Sequence, residues 1–209
     1  MKRYSVIKVL VKAMEPGDIG IFIGDGVCRE SFAYHRKGNL YLPFNEGVFG
    51  LSLGIAMNTL RRVFIFCDDV YFLRNMGEVL HIAASKCKNI HIVVLVSGVY
   101  SGHAKHPTIY KNINSPIGML FNMGFVVHDY KRHFKHSNNP TKEIRSIWKK
   151  ISGPFAAIIE VERGNKTLSS DYPTEEKSLA DIKSFIQDEN TSAYSYTPPL
   201  FSLEFSKEA

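Results

Sequence analysis

Cysteine is scarce: Cys28, Cys67 and Cys87 are the only three in 209 residues, and none forms a CxxC pair. An odd, dispersed set excludes a disulfide framework and a structural zinc site of the usual spacing, leaving free thiols as the reading. Long apolar runs are missing too. The first stretch, MKRYSVIKVLVKAMEPGD, interrupts its apolar positions with Lys8, Lys12 and Glu15, unlike a membrane helix or a secretory leader. The expectation is therefore a cytoplasmic protein with no membrane partner. No charge of one sign dominates. The net charge is +6, and the basic residues are scattered apart from His128 to His136 (HDYKRHFKH), with no helix carrying a basic stripe. Nucleic acid is not an expected partner. Internal repeats and low-complexity tracts are absent as well.

What is present is an ordinary globular composition, 44% hydrophobic and 22% charged, in a chain long enough to bury a core. From Arg62 onward the pattern is a short apolar strand (63–67), an acidic turn (Asp68, Asp69), a helix (about 75–86), a second buried strand (90–96) and a polar loop ending at Thr108. That is a βαβ unit whose strand ends open on one edge of a parallel sheet. Asp68 and Ser97 are 29 positions apart, yet each ends a strand. Oxygen donors on neighbouring strand ends suit a hard cation that clamps a phosphate.

The flanking chain continues the alternation. An amphipathic helix (4–14) precedes a strand (18–23) and the turn Gly24-Asp25-Gly26, which opens a short helix (27–34). A glycine turn between a strand and a helix can cradle phosphate with backbone N–H groups; simple loop geometry is the competing reading. A strand (39–42) leads to a helix (46–60) rich in small residues, suited to close packing on a sheet. Further on lie a helix (116–123), a strand (124–128), a polar loop (129–139), a helix (140–151), a buried strand (154–161) and a last helix (175–187). His128, His133 and His136 raise the question of a metal, but lysines separate them, and a solvated loop is the reading adopted. The expected fold class is α/β, a doubly wound, mostly parallel sheet with helices on both faces. Residues 1–187 form one domain and 188–209 an extended tail.

Four segments resemble the thiamine-diphosphate-dependent decarboxylases, in particular the diphosphate-binding half of the phosphonopyruvate and sulfopyruvate decarboxylases. That family has Gly-Asp-Gly, a helix beginning like Met-Asn-Leu-Gly-Glu-Leu, a strand ending Asp-Asn-Gly-x-Tyr, and a loop ending Gln-Pro-Thr. Here stand Cys67-Asp68-Asp69, Asn75-Met76-Gly77-Glu78-Val79, Val96-Ser97-Gly98-Val99-Tyr100 and His106-Pro107-Thr108. Ile23 to Glu30 resembles the family's first-strand turn, Thr-Gly-x-x-Ser-Arg-Glu-Leu, and Ser52 to Ala56 its Gly-Leu-Gly-Leu-Ala helix. The resemblance spans about residues 1–185.

The resemblance implies the thiamine-diphosphate-binding fold, with thiamine diphosphate and Mg²⁺ as cofactors and a small acidic 2-oxoacid as substrate. It implies Asp68, Ser97 and the Val99 carbonyl as metal ligands, with Gly98 permitting the turn. Gly24, Asp25, Gly26, Gly47, Asp69, Asn75, Met76 and Tyr100 would line the cofactor, and His103 and His106 the substrate side. Asp69 stands where the family has glycine and Ser97 where it has asparagine. Three readings follow: the diphosphate-anchoring subunit, a related partner that no longer binds cofactor, or the pyrimidine-binding half with Glu46 as the activating glutamate. In each the chain works with a partner, a pyrimidine-binding subunit or a second copy of itself, through a face built from the sheet ends and the Glu46 helix.

Overall fold

The computed structural model describes residues 1–43, 46–100, 106–112, 116–162 and 173–190. Six parallel strands make one sheet: β1 (Ile19–Ile23), β2 (Asn39–Leu42), β3 (Val63–Asp68), β4 (Ile90–Val96), β5 (Val126–Asp129) and β6 (Phe155–Glu160), in the order β2-β1-β3-β4-β6-β5. β1 to β4 are buried along their whole length, which is why they read as continuous apolar runs rather than alternating ones. The α/β expectation holds. After β2 the order reverses direction across β1, so the topological switch lies between the carboxyl ends of β1 and β3, where open α/β sheets bind ligands.

Helices cover both faces. α1 (Arg3–Ala13), α2 (Asp25–Phe32), α7 (Lys131–His136) and α8 (Pro140–Trp148) close one face over an aromatic layer of Phe22, Tyr41, Phe64, Phe66, Trp148 and Phe155. α3 (Val48–Met57), α5 (Met76–Ser85), α6 (Pro116–Asn122) and α9 (Glu175–Asn190) cover the other, over the Ile, Val and Leu side chains of the strands; Phe72 of the short α4 (Asp69–Arg74) joins that core. α9 lies against β2 at the sheet edge. There Arg61 stacks on the Phe185 ring at 3.8 Å and donates to the Phe185 carbonyl, which pins the last helix to the body.

Two segments depart from expectation. The polar stretch 129–139 is not one loop: β5 runs through His128 to Asp129 and α7 follows, because Phe134 packs into the aromatic layer and gives the basic segment an apolar side. The last helix reaches Asn190, into the segment expected to be a tail, and 191–209 lie outside the described residues. No helix among the described residues is long and apolar enough to cross a membrane.

Candidate functional site: the carboxyl edge of the sheet

β3 does not stop before the acidic pair; it extends through Asp68, and α4 begins at once with Asp69. The two neighbouring carboxylates therefore part company. Asp68 turns toward β1. It caps α4, its Oδ1 accepting from the Tyr71 N–H at 2.9 Å, while its Oδ2 lies 3.7 Å from where a Cβ on Gly24 would stand. Burial pushes its carboxyl above the usual carboxylate range, against the pull of the Tyr71 N–H and the nearby Arg3 guanidinium.

Asp69 turns the other way, toward β4, and is completely buried. Its Oδ1 accepts from the Ser97 N–H at 3.3 Å and its Oδ2 from the Thr108 hydroxyl at 2.5 Å. The Ser97 hydroxyl donates to the Val99 carbonyl at 3.0 Å. Gly98, at φ +68°, makes the turn that lets both ends of this short segment face Asp69, and its carbonyl accepts from Thr108 N–H at 3.0 Å. Asp68 and Ser97 were expected to face a common cation; the residue that Ser97 bonds directly is Asp69, 28 positions away. A one-residue extension of the strand decides which carboxylate faces which neighbour.

The remaining expected residues are more dispersed. Val99 bridges to Pro107, and Tyr100 N–H donates to the His106 carbonyl, so the Ser97–Thr108 loop has a paired neck. The Tyr100 and His106 side chains are exposed at that neck, and His103 lies outside the described residues. Asp25 pairs with Arg29 at 2.8 Å on α2. A Cβ on Gly26 would run into Arg3 Nη2, so this glycine permits the close approach of a guanidinium. Asn75 donates to the Tyr71 carbonyl, and Met76 packs partly buried against the core. Gly47, at φ +77°, precedes α3 beside an exposed Glu46.

Two residues that sequence reasoning left out shape the crevice. Arg3 makes a bidentate pair with Glu30, at 2.9 and 3.1 Å, under the Gly24–Gly26 turn. Tyr71 lays its ring across the switch point: it lies 2.9 Å from a Cβ position on Gly24, where φ is +93°, and its hydroxyl donates to the Pro43 carbonyl at 2.8 Å. The sequence signal for Tyr71 was a bulky aromatic two positions beyond the carboxylate that faces Ser97.

These residues do not fit a diphosphate clamped by Mg²⁺. Mg²⁺ takes about six oxygens in near-octahedral array, so the donors must converge on one point with a lone pair aimed at it. Here the Asp69 oxygens turn to the Ser97 N–H and the Thr108 hydroxyl, and the Ser97 hydroxyl turns to the Val99 carbonyl, instead of converging on one point. No cluster of three or more His, Cys, Asp or Glu side chains suited to a metal occurs among the described residues. The crevice beside Gly24 holds the Tyr71 ring. The amino end of α2, which would attract phosphate, already faces the Asp68 carboxylate, a like charge to any incoming anion.

No family model matches the chain, and no curated protein does either. Solved structures do match in fold. One is a Mycobacterium smegmatis protein described as a thiamin diphosphate-dependent enzyme, at 15% identity and TM-score 0.61, over 78% of this chain and 32% of that one. Another is benzoylformate decarboxylase from Polynucleobacter necessarius, at 12% and 0.61, over 80% and 34%. A third is 2-oxoglutarate:ferredoxin oxidoreductase from Magnetococcus marinus, determined with 2-oxoglutarate, coenzyme A and succinyl-CoA bound, at 12% and 0.52, over 88% of both chains. This chain spans about a third of the length of the first two. The domain has the fold of thiamine-diphosphate-dependent enzymes.

Proposed function

We propose that this chain is a partner subunit built on the fold of thiamine-diphosphate-dependent enzymes whose own diphosphate anchor is closed. The observation that carries the reading is the closure itself: Asp69 is fully buried and bonded to Ser97 and Thr108 while Tyr71 fills the crevice between β1 and β3. The surface supports a role in assembly. α3 is apolar all round, the signature of a helix enclosed on every side, yet Gly50, Leu51, Gly54 and Met57 are exposed on it, with Leu80 of α5 exposed as well. A pyrimidine-binding subunit or a second copy of this chain is the proposed partner.

Calorimetric titration with thiamine diphosphate and Mg²⁺, alone and beside any co-purifying chain, tests this. The expected result is no Mg²⁺-dependent heat from the chain by itself. Tight Mg²⁺-dependent binding that Asp69→Asn abolishes overturns it.

That outcome would favour a second reading, the diphosphate-anchoring subunit of a 2-oxoacid decarboxylase of the phosphonopyruvate or sulfopyruvate kind. The convergence of Asp69, Ser97 and Val99 at the ends of β3 and β4 supports it, since these would be the oxygen donors for the metal. The titration of the unmodified chain, with Asp69→Asn as its control, separates the two readings.

A further inference from the structure

Large apolar side chains stand exposed where the chain passes from α3 to β3: Leu51 (40%), Met57 (41%) and Leu60 (65%). Leu51 and Met57 border one face of α3, and Gly50 and Gly54 lie between them without side chains. The turn that follows is fixed, since Asn89 Nδ2 reaches the carbonyls of Ala56, Thr59 and Arg61 at 2.9, 2.8 and 2.8 Å. An exposed apolar face on a rigid support marks an interaction surface.

The described chain ends close by. Arg61, next to Leu60, stacks on the Phe185 ring and donates to its carbonyl, so the last turns of α9 run beside the end of α3. α9 is described to Asn190. The sequence beyond it carries Tyr194, Tyr196, Leu200, Phe201, Leu203 and Phe205, and no charged residue from 191 to 203. Segments that stay solvated are poor in aromatics and rich in charge; this one has the opposite composition and apolar surface of its own to bury. Pro198 and Pro199 bar those side chains from a continuation of the α9 face. Reach is ample, because 191–201 can extend roughly 35 Å at about 3.3 Å per residue, against about 15 Å for the 10 residues of α3.

We propose that residues 191–205 dock on the exposed face of α3 in the same molecule, with their aromatic side chains against Leu51, Met57 and Leu60. The proposal rests on the assembly reading of that face and adds its regulation: the segment covers the face until a partner displaces it. The closed diphosphate anchor plays no part in it.

Disulfide trapping in the full chain tests this. The background is Cys87→Ser, since Cys28 and Cys67 are buried and Cys87 is only half-buried. Asn58→Cys, beside Met57, and Ser202→Cys, beside Phe201, supply the pair. Mild oxidation should link them within one molecule at a rate independent of protein concentration. Changing either apolar surface, with Leu51→Glu/Met57→Glu on α3 or Phe201→Ser/Phe205→Ser in the segment, should slow the link by roughly tenfold, because docking supplies a local concentration that the tether alone does not. Leu51 and Met57 are exposed, so their replacement leaves the core intact, which circular dichroism checks. A rate that either change leaves unmoved overturns the proposal. A link that forms only between molecules overturns it equally, by putting the segment on a second copy. No cofactor or partner enters the experiment, so its failure is distinct from a failure of the thiamine diphosphate titration.

Discussion

Arg3→Met should lower the free energy of unfolding by about 3–5 kcal/mol, the range found when one member of a buried ion pair is removed. Arg3 and Glu30 are nearly enclosed, with side-chain exposures of 9% and 4%, and their two hydrogen bonds satisfy each other. Methionine would leave the Glu30 carboxylate buried without its partner. The pair also belongs to a wider stitch, since Lys2 bridges to Glu162 after β6 and the terminal amine lies 3.0 Å from Glu162 Oε1. Urea denaturation checks the value. The double variant Arg3→Met/Glu30→Met should recover most of the loss, because a buried pair replaced as a whole is close to neutral. A double variant as unstable as the single one would show that Arg3 acts by packing rather than by charge. The effect reaches the crevice as well: Arg3 opposes the upward shift of the Asp68 carboxyl, so its removal should raise that group further.

The parallel sheet was legible because its strands are buried on both faces and announce themselves as uninterrupted apolar runs. β2 and β4 were read at their observed bounds, Asn39–Leu42 and Ile90–Val96. Helix ends were less legible. α3 was expected from residue 46 to 60 but spans Val48–Met57, since apolar composition at Leu60 continues after the helical hydrogen bonds have stopped.

The site failed to resolve at one place for a geometric reason. Sequence spacing alone leaves both Asp68 and Asp69 within reach of Ser97. Only the observed continuation of β3 to residue 68, followed by immediate helix formation, sends Asp68 to β1 and Asp69 to β4. Tyr71 was missed because its role depends on Gly24, 47 residues earlier, having no side chain and φ +93°.

His91 yields the second large effect, a loss of stability on mild acidification. It stands in β4 opposite Phe64 on one side and Phe155 on the other. Its ring stacks on Phe64 at 4.6 Å, and neither ring nitrogen has a hydrogen-bond partner among the described residues. Burial, helped by the positive charge of Arg62, pushes its pKa down to about 3. The unfolded chain takes up this proton near pH 6.5, whereas the folded chain resists it until about pH 3. Between those values the unfolded state binds more protons, so stability rises with pH and falls as pH is lowered. From pH 7 to pH 5 the loss should be about 2 kcal/mol, at roughly 1.4 kcal/mol per unit once the pH is below the unfolded value. Carboxylates titrate mostly below this interval, which keeps the signal attributable. His91→Phe retains a ring for Phe64 to stack on and carries no proton to exclude; it should be at least as stable as the wild type at neutral pH and nearly flat down to pH 5. Denaturation of both proteins at the two pH values decides the matter. An unchanged pH slope in His91→Phe would mean that the imidazole is not held neutral by the core, and that the acid sensitivity belongs to another group.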